Sequence, residues 1–225
     1  MRKSLRQGSS QFELDVSFQT TAQRVVLFGP SGAGKTQTLR MIAGIVAPDS
    51  ARLVVAGKVL CDTAQGVMTT PQERRLAYVF QDYALFPHLT VIQNVAFALR
   101  RGWINPAKAI VDESVQRWIS SFHLESVAGH YPHQISGGQR QRTALARALV
   151  SNPTALLLDE PFAALDKGLR KRLRNELKAL QMQLELPMLL ITHDDDDVDS
   201  LAEQVVYIEA GRVVDRPSDR SELLD

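Results

Sequence analysis

The stretch RVVLFGPSGAGKTQTLRMIAGI, Arg24 to Ile45, decides the fold. Arg24–Phe28 is a continuous apolar run rich in β-branched residues, which predicts a strand buried on both faces. Thr36–Ile45 carries a helical pattern. Between them GPSGAGKT, Gly29–Thr36, matches G-x-x-x-x-G-K-[ST] at every fixed position. Strand, glycine-rich turn and helix in this order make a phosphate cradle. Gly29, Pro30, Ser31, Gly32, Ala33 and Gly34 form the loop, whose glycines let the backbone wrap phosphate oxygens with amide hydrogens pointing inward. The helix behind adds the positive end of its dipole. Lys35 supplies a point charge for the β- and γ-phosphates, and the Thr36 hydroxyl is placed to bind Mg²⁺. This loop predicts binding of a nucleoside triphosphate and nothing narrower.

Outward from it, Phe12, Leu14, Val16 and Phe18 alternate with polar residues and predict a half-exposed strand. Leu76–Phe80, Ala155–Leu158 and Leu189–Thr192 read as further buried strands. Leu169, Leu173, Leu177, Leu180 and Leu184 form the apolar stripe of an amphipathic helix stopped by Pro187. Val205–Glu209 and Arg212–Val214 flank Ala210-Gly211 as a hairpin. From about Phe86 to Ser136 strand signals vanish. Val91–Leu99 and Val111–Phe122 look helical, with Gly102 and Pro106 breaking them. The pattern predicts an α/β core with a helical insertion.

ALLLDEP, Ala155–Pro161, places Asp159 and Glu160 at the C-terminal end of a buried strand, beside the phosphate loop in such a fold. Asp159 suits a Mg²⁺ oxygen ligand, and Glu160 a carboxylate that polarises water. The D-x-x-G and N-K-x-D motifs of guanine-nucleotide proteins are absent, which favours ATP. A second glycine pair stands in ISGGQRQR, Ile135–Arg142. Ser136 can cap a helix that begins near Gly138, and Gly137 and Gly138 leave the backbone bare for a phosphate. On these residues alone a plain helix entry is equally good.

The ordered set of motifs clearly resembles the nucleotide-binding subunit of ATP-binding cassette (ABC) transporters, from about Phe12 to Val214. GPSGAGKT looks like Walker A, Gln81 in VFQDYALFPHLTV like the Q-loop glutamine, ISGGQ like the signature (with Ile where Leu is commoner), and LLLDEP like Walker B. Ala164-Leu165-Asp166 resembles the D-loop, and His193 in LLITHD the switch histidine. The resemblance implies an α/β fold with a P-loop NTPase (RecA-like) core, an N-terminal antiparallel β-subdomain and an inserted α-helical subdomain. Residues 1–225 then form a single ABC ATPase domain, with 12–85 and 150–225 as core and β-subdomain and 86–149 as insertion.

It further implies ATP and Mg²⁺ as cofactors and a head-to-tail homodimer. Ser136, Gly137, Gly138, Gln139 and Asp166 would serve the partner copy's ATP. Lys35, Gln81, Glu160 and His193 would act on the chain's own, with Thr36, Gln81 and Asp159 at the metal. A site completed only on closure couples hydrolysis to motion. Integral membrane permease subunits are expected to dock on Gln81–Leu89, where Tyr83, Phe86, Pro87 and His88 form an aromatic-rich group. The chain would thus sit on the cytoplasmic face of the inner membrane. The short first segment is most like molybdate-importer ATPases, with sulfate, polyamine and sugar importers as alternatives. A nucleotide-gated dimerisation module with little turnover is the other class of reading. The small C-terminal β-domain usual in such subunits does not follow Asp225, either because regulation is lacking or because the sequence is a piece of a longer chain.

Bulk properties agree. With 26 basic and 25 acidic residues the net charge is +1, so no global field draws nucleic acid. The apolar runs fall short of the roughly 20 residues a membrane-spanning helix needs. MRKSLRQGSS is not followed by the apolar segment of a secretory signal. The single cysteine, Cys61, is expected to pack, and a reducing compartment fits. No aromatic stands in Ser4–Gln11 to stack on adenine, which leaves Phe12 or Phe18. Asp194–Asp197 reads as an acidic helix N-terminus rather than a metal cluster. His130 and His133 lack further ligands at zinc spacing. Of Arg140 and Arg142, at least one is expected on an exposed helix face.

Overall fold

The computed structural model of the chain describes residues 1–7, 10–99, 105–106, 112–163 and 165–215. The first half comprises β1 (Arg2–Gln7), β2 (Ser10–Asp15), β3 (Arg24–Phe28), α1 (Lys35–Ala43), β4 (Arg52–Val55), β5 (Lys58–Asp62), β6 (Val67–Met68), α2 (Pro71–Arg74) and β7 (Leu76–Val79). Then follow α3 (Val91–Phe97), α4 (Glu113–Ser121), α5 (Gly137–Leu149), β8 (Ala155–Asp159), α6 (Lys167–Leu184), β9 (Met188–Thr192), α7 (Asp195–Leu201), β10 (Gln204–Glu209) and β11 (Arg212–Val214).

One eight-stranded sheet runs β1-β2-β11-β10-β3-β9-β8-β7. Its five strands from β10 to β7 are parallel, and the antiparallel pairs β1–β2 and β10–β11 extend it at the other end. The parallel part is buried on both faces, which explains its unbroken apolar runs. Side chains alternate between the faces as strand geometry requires. Val26 and Phe28 join the core under α3 to α7, while Val25 and Leu27 join the core of Leu14, Leu39 and Ile42 on the opposite face. Among the described residues three α-helices, α3 to α5, intervene between β7 and β8, in the stretch without strand signals. No helix of the described residues is long and apolar enough to cross a membrane.

Several sequence expectations need correction. The strand expected to run through Phe18 ends at Asp15. β1 carries charge on its exposed positions and gave no strand signal, yet it pairs with β2 along its whole length. The second sheet, β4-β5-β6, was equally unmarked. It buries Cys61, which packs as expected. In α6, Leu173 and Leu177 reach the core, but Leu184 is exposed near the helix end. Arg174 and Gln181 sit on the buried face instead. Each is admitted because it has a buried polar partner: Asp197, which accepts from Arg174 Nε and neutralises its charge, and the Arg24 side chain together with the Leu186 carbonyl for Gln181. Gly102, Val111 and Ala164 lie outside the described residues, as does everything after Asp215.

Candidate functional site

The C-terminal ends of four adjacent parallel strands, β3, β9, β8 and β7, deliver the loops that carry most of the predicted site. Register brings them level: Phe28 pairs with Thr192, and Asp159 with Ile191. A sheet edge of this kind is where α/β folds place ligands.

The loop after β3 is tightly constrained. A side chain at Gly29 would stand 2.0 Å from the Ile208 carbonyl oxygen, so only glycine fits. Gly34, with φ +98°, lies in the left-handed region at the cap of α1, and a Cβ there would also meet Leu14 at 2.8 Å. Lys35 is buried, and its Nζ donates to the carbonyls of Gly29 and Pro30 at 2.6 and 2.7 Å. Burial lowers its pKa, while Glu160 and Asp159 pull it back up. Ser31, Gly32, Gly34, Lys35, Thr36, Gln37 and Glu160 line one cleft of about 730 Å³ together with Leu5, Arg6, Gln11 and Phe12. Phe12 is therefore the aromatic at the cleft. Phe18 packs against the same core as Phe12 but does not line the cleft.

Thr36 Oγ1 donates to Asp159 Oδ1 at 3.0 Å. The other carboxylate oxygen of Asp159 accepts from the Tyr78 hydroxyl at 2.8 Å. Burial, then the Asp159 charge, push the Tyr78 pKa far up, so it stays a donor. Two adjacent hard oxygen donors with one carboxylate charge fit Mg²⁺, and the hydroxyl partner orients the ligand from behind. Glu160 takes a left-handed φ of +46°, fixed by its N–H donating to the Ile191 carbonyl at 3.1 Å. This turn brings Glu160 Oε2 within 3.3 Å of His193 Nδ1. A carboxylate beside an imidazole, over a phosphate cradle, can orient water and pass protons.

A profile described as ABC transporter matches residues 14–163. The chain belongs to the ABC transporter family. Among curated ABC relatives, the sulfate/thiosulfate import ATP-binding protein of Caulobacter vibrioides is 44% identical over 84% of this chain and 55% of its own length. The spermidine/putrescine import ATP-binding protein of Aliivibrio fischeri is 41% identical over 90% of the chain and 51% of its own. The molybdenum import ATP-binding protein of Albidiferax ferrireducens is also 41% identical, over 90% and 54%. The chain thus spans about half the length of these relatives. A solved dimeric ATP-binding cassette in a post-hydrolysis state, bound to ADP and Pi, superposes with a TM-score of 0.76 at 29% identity, covering 95% of this chain and 94% of that one. The fold is that of an ABC cassette.

Other predicted ABC residues lie apart from the cleft. Ser136 is exposed and caps α5 in a reciprocal box with Gln139: its oxygen accepts from Gln139 N at 3.3 Å, and its N–H donates to Gln139 Oε1 at 2.9 Å. Side chains at Gly137 and Gly138 would press on Leu165 and Leu169 at 3.3 and 3.1 Å, so close packing of α6 also explains this glycine pair. Asp166 caps α6, accepting from Leu169 N at 3.0 Å. None of Ser136–Gln139 or Asp166 lines the cleft of the same chain. Gln81 is exposed in the turn after β7, and it too is outside that lining.

The aromatic group after Gln81 divides. Tyr83 is buried, and its hydroxyl donates to the Pro161 carbonyl at 3.2 Å. Phe86 packs on Phe97 with centroids 4.4 Å apart, while Pro87 and His88 are exposed. Arg142 pairs with Glu176 on α6, and Arg140 donates to the Ile135 carbonyl. Asp194 caps α7 as expected, but Asp197 is buried against Arg174, which the acidic run did not reveal. Tyr78 was missed as well, because a tyrosine within a buried strand carries no mark of its partner. Arg170 and Arg174, four residues apart on one helix, offered the only signal for the acidic run's partners.

Proposed function

We propose that the chain is the ATP-hydrolysing subunit of an importer of small solutes, working as a head-to-tail pair of copies. One observation carries it. Lys35, Thr36, Asp159, Glu160 and His193 converge at one cleft edge, whereas Ser136–Gln139 stand elsewhere on the same chain. A second copy can then bring its Ser136–Gln139 segment against the first copy's γ-phosphate. The dimeric cassette of similar fold supports this arrangement.

In this reading Gly29–Thr36 cradle the phosphates, and Lys35 exchanges its two backbone acceptors for charged oxygens. Thr36 and Asp159, joined by Gln81 on closure, would hold Mg²⁺, which when bound offsets phosphate charge. Glu160 orients the attacking water and takes its proton. His193 holds Glu160 and the γ-phosphate in register. Donors on all sides of the transferred group lower the barrier only when both copies are present. Permease subunits dock at Gln81–Leu89, where Pro87 and His88 are free to meet a partner, and the chain lies against the cytoplasmic face of the membrane.

The solute is a small oxyanion, molybdate or sulfate, since relatives of similar identity import both. A polyamine relative of equal rank supports the alternative. Uptake of molybdate, sulfate and spermidine by vesicles carrying the assembled importer separates them.

The ATPase reading is tested by steady-state hydrolysis with the permease present. Glu160→Gln is expected to lose about 10²–10⁴-fold in kcat while retaining ATP, the range for a lost general base. Wild-type turnover in the mutant would remove Glu160 from its role. A wild type that dimerises with ATP yet turns nothing over would establish the gated dimerisation module instead.

A further inference from the structure

Both chain neighbours of His193 are tied to α6. Thr192 Oγ1 donates to Asp197 Oδ2 at 2.6 Å and accepts from the Asp194 N–H at 3.0 Å. Asp197 Oδ1 in turn takes Arg174 Nε at 2.7 Å and Nη2 at 2.5 Å. Asp194 pairs with Arg170 through Oδ2, while its Oδ1 caps α7 by accepting from Asp196 N at 2.9 Å. Arg170 also donates to the Leu165 carbonyl at 3.3 Å. Arg174 and Asp197 are only 6% and 3% exposed.

Such a buried pair is costly to desolvate and is weak evidence for stability, since apolar residues would pack α7 on α6 as well. What it supplies is geometry. An apolar contact tolerates sliding, whereas charge-assisted hydrogen bonds from two arginines to two carboxylates fix the turn at Thr192–Asp194 in rotation and register. His193 is the one side chain of that turn that faces Glu160, at 3.3 Å.

We propose that Arg170 and Arg174 are positioning residues for His193, holding the backbone on either side of it so that its imidazole stays on Glu160. The proposal rests on the reading of Glu160 and His193 as the groups that act on ATP. The acidic run after His193 is, in this light, the receiving half of a two-arginine clamp. Asp194 and Asp197 face α6, and Asp196 adds a longer contact to Arg174 at 3.6 Å.

The test uses Arg170→Met, because Arg170 is partly exposed and its loss spares the buried Arg174–Asp197 pair. Arg170→Lys and Asp194→Asn accompany it, and Glu176→Gln, which breaks a remote pair on the same helix, is the control. Two readouts are taken on variants that melt cooperatively. One is the imidazole ¹⁵N signal of His193 in the nucleotide-free protein, identified by its disappearance in His193→Ala. The other is the split of kcat from KM for ATP.

Arg170→Met and Asp194→Asn are expected to shift or broaden the His193 signal and to lower kcat at least tenfold, with KM within twofold. Arg170→Lys is expected to recover part of both, and Glu176→Gln to change neither. An unmoved imidazole signal in Arg170→Met overturns the proposal, as does a moved signal with unchanged kcat. If the wild type itself proves unable to hydrolyse ATP, the ATPase reading fails, and the imidazole signal alone decides whether the clamp positions His193.

Discussion

Tyr78 and Asp159 are joined by a 2.8 Å hydrogen bond across the parallel pair β7–β8, and the same carboxylate accepts from Thr36 at 3.0 Å. The tyrosine is thus the rear support of the carboxylate proposed to hold Mg²⁺. Tyr78→Phe keeps the ring and removes only the donor. Loss of such an outer partner weakens metal binding by about 10–100-fold. Mn²⁺ titration with ATP, followed by electron paramagnetic resonance, is expected to show a shift in that direction. Unchanged Mn²⁺ affinity would reduce Tyr78 to a packing role.

Ser136→Arg tests which copy the second glycine segment serves. Ser136 caps α5, so the change costs about 1 kcal/mol of stability. It does not touch the cleft of its own chain. ATP binding by the monomer is expected to persist, while ATP-driven dimerisation and turnover disappear. Sedimentation with ATP in a Glu160→Gln background reads the dimer directly. Collapse of monomer binding would place the segment in the chain's own site.

Phe12 lines the cleft, and its ring edge lies close to Gly34 and Gly211. Base–aromatic stacking is worth about 1–3 kcal/mol, a figure taken from nucleic-acid binding proteins. Phe12→Ala is accordingly expected to weaken ATP by about 5–150-fold. Phe18→Ala, which leaves the cleft intact, is expected to leave affinity near wild type. Calorimetry with ATP distinguishes them, and equal affinities for Phe12→Ala and wild type would rule out stacking by Phe12.

Arg74 offers a stability test away from the chemistry. It is 3% exposed and donates to the carbonyls of Met41 and Ile42, at 2.6 and 2.7 Å, where α1 ends. Arg74→Ala takes the guanidinium donor from the Met41 and Ile42 carbonyls, leaving Met41 only the Gly44 N–H at 3.1 Å, and opens a cavity. Urea unfolding is expected to show a loss of about 2–4 kcal/mol. A loss below about 1 kcal/mol would mean that water replaces the guanidinium freely.

The sequence was legible where chemistry is local. Gly29–Thr36 shows itself in neighbouring residues: a strand that must be buried, a turn spaced with glycines, a helix capped at Gly34. The same holds for Ser136 capping α5 and Asp159-Glu160 ending a buried strand. Periodicity located the parallel strands because both of their faces are apolar. It did not locate β1 or β4–β6, which are short or put charged and apolar residues alike on their exposed faces, and whose partners are set by tertiary pairing.

The chain's sequence by itself determined the phosphate cradle, the acidic strand end, the helical insertion and the family to which these belong. Only the tertiary structure decided which residues stand behind them. It chose Phe12 over Phe18 for the cleft, buried Tyr83, and gave Gly137 and Gly138 a packing reason in Leu165 and Leu169. It also turned Asp194 and Asp197 of the acidic run into a cap and a clamp. The physical reason is separation along the chain. A motif encodes contacts within a turn or two of backbone. Tyr78 to Asp159 and Arg170 to Asp194 are contacts between elements, fixed by sheet order and helix packing.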